Sequence, residues 1–336
     1  MAVFEVLDGG LVTTVQDLGR PDHVHEGVPR SGAADALSLA VANTLAGNPT
    51  GAAALEITIG GLRLRALHAA MVGLGGADLG ATVVAGPGSG EPPRRLDPGR
   101  SHLLRAGEEL AFVGRPSDGL GCRAYLAVPG GVDVPEVLGS RSTSLVGAFG
   151  GLGGRAIRTG DVISATKSET GRPPARLPVG LGLPSPAQRV RILAVESDEP
   201  HRYTAQRLAG QAWVVSGDSD RRGLRLLPAS GERSREPRGG SHTSAADRPS
   251  EAVIPGTIQV TPSGQPLVLM PDAGTTGGYE VAAVVIAADL PILGQLAPWD
   301  EVRFRLVDAP AALDAALDRR RLLDDFAALG HTQGPG

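Results

Sequence analysis

Apolar and polar residues alternate in short runs along this chain, and glycine breaks most of the runs. Val3-Phe4-Glu5-Val6-Leu7 and Leu11-Val12-Thr13-Thr14-Val15-Gln16-Asp17 predict two strands joined across Gly9-Gly10. A helix is expected next. Ser31 can cap it, Leu37, Val41, Thr44 and Leu45 recur on one face, and Gly47-Asn48-Pro49 ends it. The clearest hairpin signal follows: Leu55-Glu56-Ile57-Thr58-Ile59 and Leu62-Arg63-Leu64-Arg65 flank Gly60-Gly61. A two-residue turn there sets Ile57 against Leu64 and Glu56 against Arg65. Further short strands are predicted near 71–74, 81–85, 103–104, 110–113, 124–128 and 162–165.

The pattern then lapses. Residues 165–188 are proline-rich and aperiodic, which marks a linker between two units. Strands resume at 190–195, a hairpin turns at Thr261-Pro262-Ser263-Gly264, and 281–286 is again strand-like. The stretch 228–250 holds no large aliphatic side chain and reads as a solvated loop. Asp308 caps a closing helix, with Pro310 in its first turn and Leu313, Leu317 and Phe326 along it. The expected fold is mainly β, with few short helices. A first barrel covers 1–170, a Pro-rich linker 171–188, a second barrel 189–307, and a C-terminal helix and tail 308–336.

Composition narrows the function classes. With 336 residues, the chain exceeds one typical domain, and its 48 glycines and 27 prolines favour turns over long helices. Aromatic residues make up only 3% and the net charge is −4 with no basic stripe, which argues against a nucleic-acid partner. Lys167 is the sole lysine and sits in Ala-Thr-Lys-Ser-Glu, so no phosphate-binding P-loop is present. Cys122 is the sole cysteine, excluding an intrachain disulfide and a cysteine-based zinc cluster. The N-terminus has no cationic leader, and apolar stretches such as 281–288 fall far short of the ~20 residues that cross a bilayer. The expectation is a soluble cytoplasmic protein without a membrane partner.

Most motif matches reduce to ordinary structure. Gly151-Leu-Gly-Gly-Arg-Ala156 fits a dinucleotide fingerprint on paper, yet a turn and strand follow it where the mechanism needs a helix. His23-Val24-His25 has no third ligand nearby, so no metal is assigned. Three glycine-flanked polar clusters are different. Thr14, Gln16, Asp17 and Arg20 crowd a strand end, beside a helix N-terminus at Ser31-Gly32 whose amides can meet an anion. Gly75-Gly76-Ala77-Asp78 exposes a carboxylate after an apolar strand. Asp272 precedes Thr275-Thr276-Gly277-Gly278, where hydroxyls and bare amides can converge on one oxyanion.

These clusters resemble those of a known family. Residues 10–20 (GLVTTVQDLGR), 27–32 (GVPRSG) with Asp35, 54–58 (ALEIT), 76–78 (GAD) and 127–133 (AVPGGVD) are similar to the allophanate hydrolase subunit 2, or biotin-dependent carboxyltransferase, family. So are Gly139-Ser140, Ser142-Thr143, 255–260 (PGTIQV) and 264–279, and the likeness runs in order over about residues 3–307. Gly274 replaces the usual glutamine, and Arg222 an apolar residue.

The resemblance implies two cyclophilin-like β-barrel domains and an activity as the C-type component of an ATP-dependent 5-oxoprolinase. Its partners would be a B-type component, of the allophanate hydrolase subunit 1 type, and an A-type component, of the LamB/YcsF type. The alternatives are a carboxyltransferase component using carboxybiotin in a urea carboxylase system and a non-catalytic regulator of a sensor histidine kinase. On the leading reading the catalytic residues are Asp17, Asp272 and Glu56. Thr14, Gln16, Arg20, Ser31, Gly32 and Asp78 bind substrate, with Arg20 on its carboxylate. Thr275, Thr276, Gly277 and Gly278 hold phosphoryl or oxyanion oxygens. ATP, with Mg²⁺ and shared with a partner protein, is the expected cofactor.

Overall fold

A computed structural model of the chain describes residues 1–86, 90–117, 119–166, 176, 189–195, 204–231 and 249–332. The chain divides into two compact units: Met1–Arg20, Ser31–Leu183 and Arg320–Gly336 form the first, and Pro21–Arg30 with Pro184–Arg319 the second. The linker placed at 171–188 lies outside the described residues except for Arg176, as do residues 232–248 of the 228–250 loop.

In the first unit the strands are β1 (Ala2–Gly9), β2 (Val12–Gln16), β3 (Ala54–Thr58), β4 (Leu62–Ala66), β5 (Ala70–Gly76), β6 (Ala81–Val84), β7 (Arg94–Arg95), β8 (Arg100–Leu104), β9 (Glu109–Phe112), β10 (Arg123–Ala127) and β11 (Val162–Ser164). They form a six-stranded sheet in the order β11-β1-β4-β9-β6-β7 and a five-stranded sheet in the order β2-β3-β10-β5-β8. Alternation sets the layers. Phe4, Val6, Leu62, Leu64, Leu110 and Phe112 from one sheet join Val15, Leu55, Ile57, Val72, Leu74 and Leu126 from the other in a single core.

Both glycine hairpins expected near the N-terminus are absent. β1 and β2 lie in different sheets, as do β3 and β4, so Gly9-Gly10 and Gly60-Gly61 carry the chain across the core. Glu56 therefore stands opposite Thr14 and Tyr125, and Arg65 opposite Glu5 and Glu109. Ile59 (φ 66°), Gly60 (φ 141°) and Gly61 (φ 86°) are all left-handed, a run that turns the chain out of one sheet and into the next.

Helix α1 (Ala36–Ala46) begins after the expected Ser31 cap. Asp35 caps it, accepting the Ser38 amide at 2.9 Å, and Gly47 ends it in the left-handed region at φ 78°. Every α1 residue from Leu37 to Ala46 is buried. One face lies directly on β5, because Gly73 and Gly75 have no side chains: a Cβ would fall 2.0 Å from the Ala42 carbonyl oxygen and 2.4 Å from that of Ser38. The other face packs Leu37, Val41 and Leu45 against Phe326.

The second unit is a closed barrel. Its strands are β12 (Val190–Ala194), β13 (Ala212–Val215), β14 (Gly223–Pro228), β16 (Thr257–Val260), β17 (Pro266–Leu269), β19 (Glu280–Val285) and β20 (Glu301–Leu306), closing in the order β12-β19-β16-β17-β14-β13-β20. β15 (Glu251–Ala252) and β18 (Thr276–Gly277) pair separately. Helices α2 (Ala205–Ala209) and α3 (Leu290–Gln295) are short, and α4 (Ala309–Thr332) ends the fold with the predicted Asp308 cap on the Ala311 amide. The predicted hairpin at residues 261–264 joins β16 to β17. Trp213, Ile192, Leu224, Leu226, Ile258, Val268 and Phe304 fill the interior. The mainly β fold and the C-terminal helix agree with the expectation.

Asp161 staples the turn before β11. It accepts both terminal nitrogens of Arg155, at 2.7 and 2.8 Å, and the Arg158 amide at 2.9 Å. The Arg155 hydrogen bonds, with the Arg158 amide, hold its carboxyl below the usual aspartate range. A depressed folded value means that the stabilisation is present above the unfolded value of about 3.9 and is lost as pH falls through the folded value. Asp161→Asn is therefore expected to cost on the order of 1 kcal/mol at neutral pH and to flatten the decline in acid. Urea unfolding from pH 7 to pH 2 would check this, and parallel curves for the two proteins would contradict it.

Candidate functional site

In the first unit the polar strand end of β2 is tied into the glycine-rich segment 137–154. Asp17 accepts the Ser140 hydroxyl at 2.6 Å, the Arg141 amide at 2.6 Å and the Gly19 amide at 2.8 Å, and it also bonds the Ser142 hydroxyl. Arg20 is 1% exposed and donates to the carbonyl oxygens of Ser142 at 2.7 Å, Val137 at 3.2 Å and Ser140 at 3.4 Å. Its guanidinium carbon lies 4.9 Å from the centre of the Phe149 ring. A guanidinium so enclosed braces a loop. Where a substrate carboxylate was expected, Arg20 meets carbonyl oxygens of the protein, and Asp17 meets hydroxyls and amides.

At the anion site expected at Ser31-Gly32, the three amides that follow are taken by groups of the protein. The Ala33 amide donates to the Asp17 carbonyl oxygen at 2.9 Å, the Ala34 amide to Glu56 at 2.9 Å, and the Asp35 amide to the Tyr125 hydroxyl at 2.8 Å. Glu56, 1% exposed, accepts the Tyr125 hydroxyl at 2.7 Å and lies 3.5 Å from Arg123 Nε. Burial first, then the Glu56 charge, pushes the Tyr125 phenol well above its ordinary value, so it stays a neutral donor. Glu56 is thus an internal brace for the segment entering α1. Gln16 Nε2 bridges Thr14 Oγ1 at 2.9 Å and the Thr143 carbonyl oxygen at 3.2 Å, while Gln16 Oε1, Thr13 Oγ1 and Ser31 Oγ are buried without a hydrogen-bond partner. Asp78 is apart from this knot, holding the Gly80 amide at 3.0 Å and pairing with Arg95. Ser140, Arg141, Ser142 and Phe149 complete the knot. Sequence reasoning gave them no role, although Ser140 and Ser142 lay in motifs that carried the family resemblance; Arg141 and Phe149 had no signal beyond the aperiodic glycine run after Gly139.

In the second unit Asp272 is also committed. It is 1% exposed, and its oxygens meet Arg221 Nε at 2.9 Å and a terminal nitrogen at 3.3 Å. Two backbone bonds run alongside: Asp272 N to the Arg221 carbonyl oxygen and Met270 N to that of Arg222, both 3.0 Å. This ion pair staples the turn before β14 to the segment after β17. Between them opens a cavity of about 240 Å³, lined by Asp218, Asp220, Arg222, Arg225, Leu267 and Leu269, with Gly223, Ala273 and Gly274 completing the wall. Beyond its rim, Thr276 and Gly277 pair with β15, and Gly277 sits so close to the Gln259 side chain that a Cβ would fall 2.4 Å from Nε2. Thr275 and Gly278 are half-buried and Thr276 is exposed.

Mg²⁺ needs a carboxylate whose oxygens are open to it. Asp272 faces Arg221, Asp17 faces Ser140, Ser142 and Arg141, and no group of three or more acidic, His or Cys side chains suited to a metal occurs among the described residues. Asp17 and Asp272, the acidic residues nearest the expected phosphoryl chemistry, therefore do not fit the ion.

The ion pair makes its own prediction. Breaking the buried pair by Asp272→Asn or Arg221→Met alone is expected to cost about 3–5 kcal/mol, whereas the double substitution costs clearly less than the sum. Urea denaturation of the three variants measures the coupling. Strict additivity would mean that the pair does not act as a unit.

Known proteins share this chain's pattern over most of its length. Residues 26–306 match the model of the family described as carboxyltransferase domain, subdomain A and B. The chain is 33% identical to the C component of 5-oxoprolinase from Escherichia coli, over 98% of this chain and 100% of that one. It is 32% identical to urea amidolyase of Lachancea kluyveri over 90% of its length, which is 17% of that larger protein. Among solved structures, the K. lactis urea amidolyase superposes with a TM-score of 0.80 at 27% identity, covering 97% of this chain and 20% of that one. Because the matched region takes in both the 137–154 knot and the Arg221–Asp272 staple, the chain belongs to the carboxyltransferase domain, subdomain A and B, family.

Proposed function

We propose that this chain is the C-type component of an ATP-dependent 5-oxoprolinase, opening 5-oxo-L-proline to L-glutamate together with partners of the A and B types. The observation that carries this reading is the similarity to the E. coli C component, which extends over the whole of that relative, so each of its segments has a counterpart here. The chemistry is demanding because amide resonance makes the ring carbonyl a poor electrophile. Transfer of the γ-phosphoryl group to the amide oxygen releases ADP and activates the carbon. Water then adds there, the ring C–N bond breaks to give the free amine and an acyl phosphate, and a second water releases phosphate and leaves the carboxylate. Catalysis of such transfers rests on donors aimed at the phosphoryl oxygens. In this chain the Thr275 and Thr276 hydroxyls and the Gly277-Gly278 backbone are suited to that task. Asp17, Arg20, Glu56 and Asp272 act indirectly, by holding the segments that carry polar groups.

A biotin-dependent carboxyl transfer to urea is the second reading. It draws on the 32% identity to urea amidolyase and on the superposition with its crystal structure. The two readings part on substrate. Co-expression with A- and B-type partners, followed by assay of glutamate release from 5-oxoproline and ATP, is expected to give turnover. Thr275→Val with Thr276→Val is expected to lower kcat by at least about tenfold with little change in stability. Turnover of urea and bicarbonate in place of 5-oxoproline would favour the second reading. Absence of turnover with either substrate would point to a regulatory interaction protein.

A further inference from the structure

Strand pairing sets Gly223 opposite Leu269 and Arg225 opposite Leu267. Leu224, Leu226 and Val268 alternate with them and are buried in the barrel, so these four positions belong to the outer face, where the cavity of about 240 Å³ lies. Its floor is aliphatic: Leu267 and Leu269 cluster there with Ala273 and Val253. Gly223 keeps the floor low, since a Cβ there would press within 2.6 Å of Leu267 Cδ1.

The two arginines of the cavity differ in what surrounds them. Arg222 is exposed, and its Nε donates to Asp220 at 2.8 Å, in a turn closed by the Arg222 amide on the same carboxylate. Arg225 is half-buried. Its backbone amide donates to Ser219 Oγ at 3.0 Å, while its guanidinium meets no carboxylate among the described residues. A half-buried guanidinium over an apolar floor, in contact with no carboxylate among the described residues, suits an anion that brings its own apolar surface. A guanidinium fork matches a carboxylate bidentately.

We propose that this cavity binds a small monocarboxylate with a compact apolar body, its carboxylate on Arg225 and its body on Leu267, Leu269 and Ala273. The volume is that of about eight waters, which suits a single five-membered ring with one substituent. Asp218 and Asp220 also line the cavity and repel a second carboxylate, so dicarboxylates are disfavoured. The inference goes beyond the 5-oxoprolinase reading, because the cavity selects by charge and shape whatever reaction the complex performs.

The test uses the full chain, titrated by calorimetry and ligand-observed NMR with cyclopentanecarboxylate and 5-oxo-L-proline. Neutral cyclopentanecarboxamide and the dicarboxylate glutarate serve as comparators. At least one of the two monocarboxylates is expected to bind, with the carboxamide and glutarate weaker by about tenfold or more. Arg225→Gln is expected to lose about tenfold or more, and Arg222→Gln less than about threefold. Gly274→Leu gives an independent check. Gly274 is exposed and a Cβ there meets only the Thr276 carbonyl oxygen, at 3.6 Å, so a leucine side chain is tolerated at the rim and obstructs the cavity. It should abolish binding without lowering the melting temperature. Binding by neither acid at millimolar concentration would overturn the proposal, as would equal binding of acid and amide or unchanged affinity in both Arg225→Gln and Gly274→Leu. Turnover of the assembled complex, measured in parallel, separates the two readings: carboxylate binding without 5-oxoproline turnover overturns the functional proposal alone.

Discussion

A charge removed from water has to be met by partners, and in this protein that constraint shapes the irregular segments more than any strand pairing does. Residues 137–154 have few ladder hydrogen bonds to define them. Their course is set instead by Asp17, which collects two hydroxyls and an amide, and by Arg20, which collects carbonyl oxygens. The same solution recurs in the second unit, where Arg221 and Asp272 face each other at about 1–5% exposure and hold two turns together. Each of these groups is costly to bury and is satisfied only by one arrangement of the chain around it. Specificity of loop conformation follows from that exclusivity, while net stability gains from burying ions are small.

Much of the fold was legible from alternation. The strand positions and the hairpin at 261–264 follow from period-two patterning and turn residues, as does the capped final helix. Pairing was harder to read. Gly60-Gly61 between two alternating runs has the local chemistry of a primed turn, yet β3 and β4 separate because each finds a better neighbour. β3 sits between β2 and β10, and β4 sits between β1 and β9. A two-layer core rewards strands that cross from one sheet to the other. The left-handed freedom of two glycines serves that crossing as well as a hairpin, so sequence alone does not distinguish them. The start of α1 was displaced for a related reason: Ser31 is a good cap by type, but Asp35 has both the carboxylate for Ser38 and a buried phenol to receive its own amide.

At the site, residue types were legible and roles were not. Acidic and basic side chains near glycines look alike in a sequence whether they face a ligand or each other, and burial decides between these. Glu56, Arg20 and Asp272 are 1% exposed, which commits them to the protein. The cavity residues escaped notice for the opposite reason. Arg225 and Leu267 are some forty positions apart, and only the β14–β17 register places them side by side on the outer face.

That register also bears on how labour would be divided in the 5-oxoproline-opening complex proposed above. The cavity on the β14–β17 face holds about 240 Å³, and the carboxylates Asp17 and Asp272 already face hydroxyls and a guanidinium. If both substrates meet near this chain, the polyphosphate and its metal need groups from elsewhere, whereas a compact carboxylate needs only Arg225 and the leucine floor. A protein with this distribution of committed and uncommitted charge is better suited to position the acceptor than to hold the phosphoryl donor. On the reading proposed above, dependence on partner proteins has a physical origin, since Asp17 and Asp272 already face protein groups and a dissociative phosphoryl transfer requires open ligands for its metal.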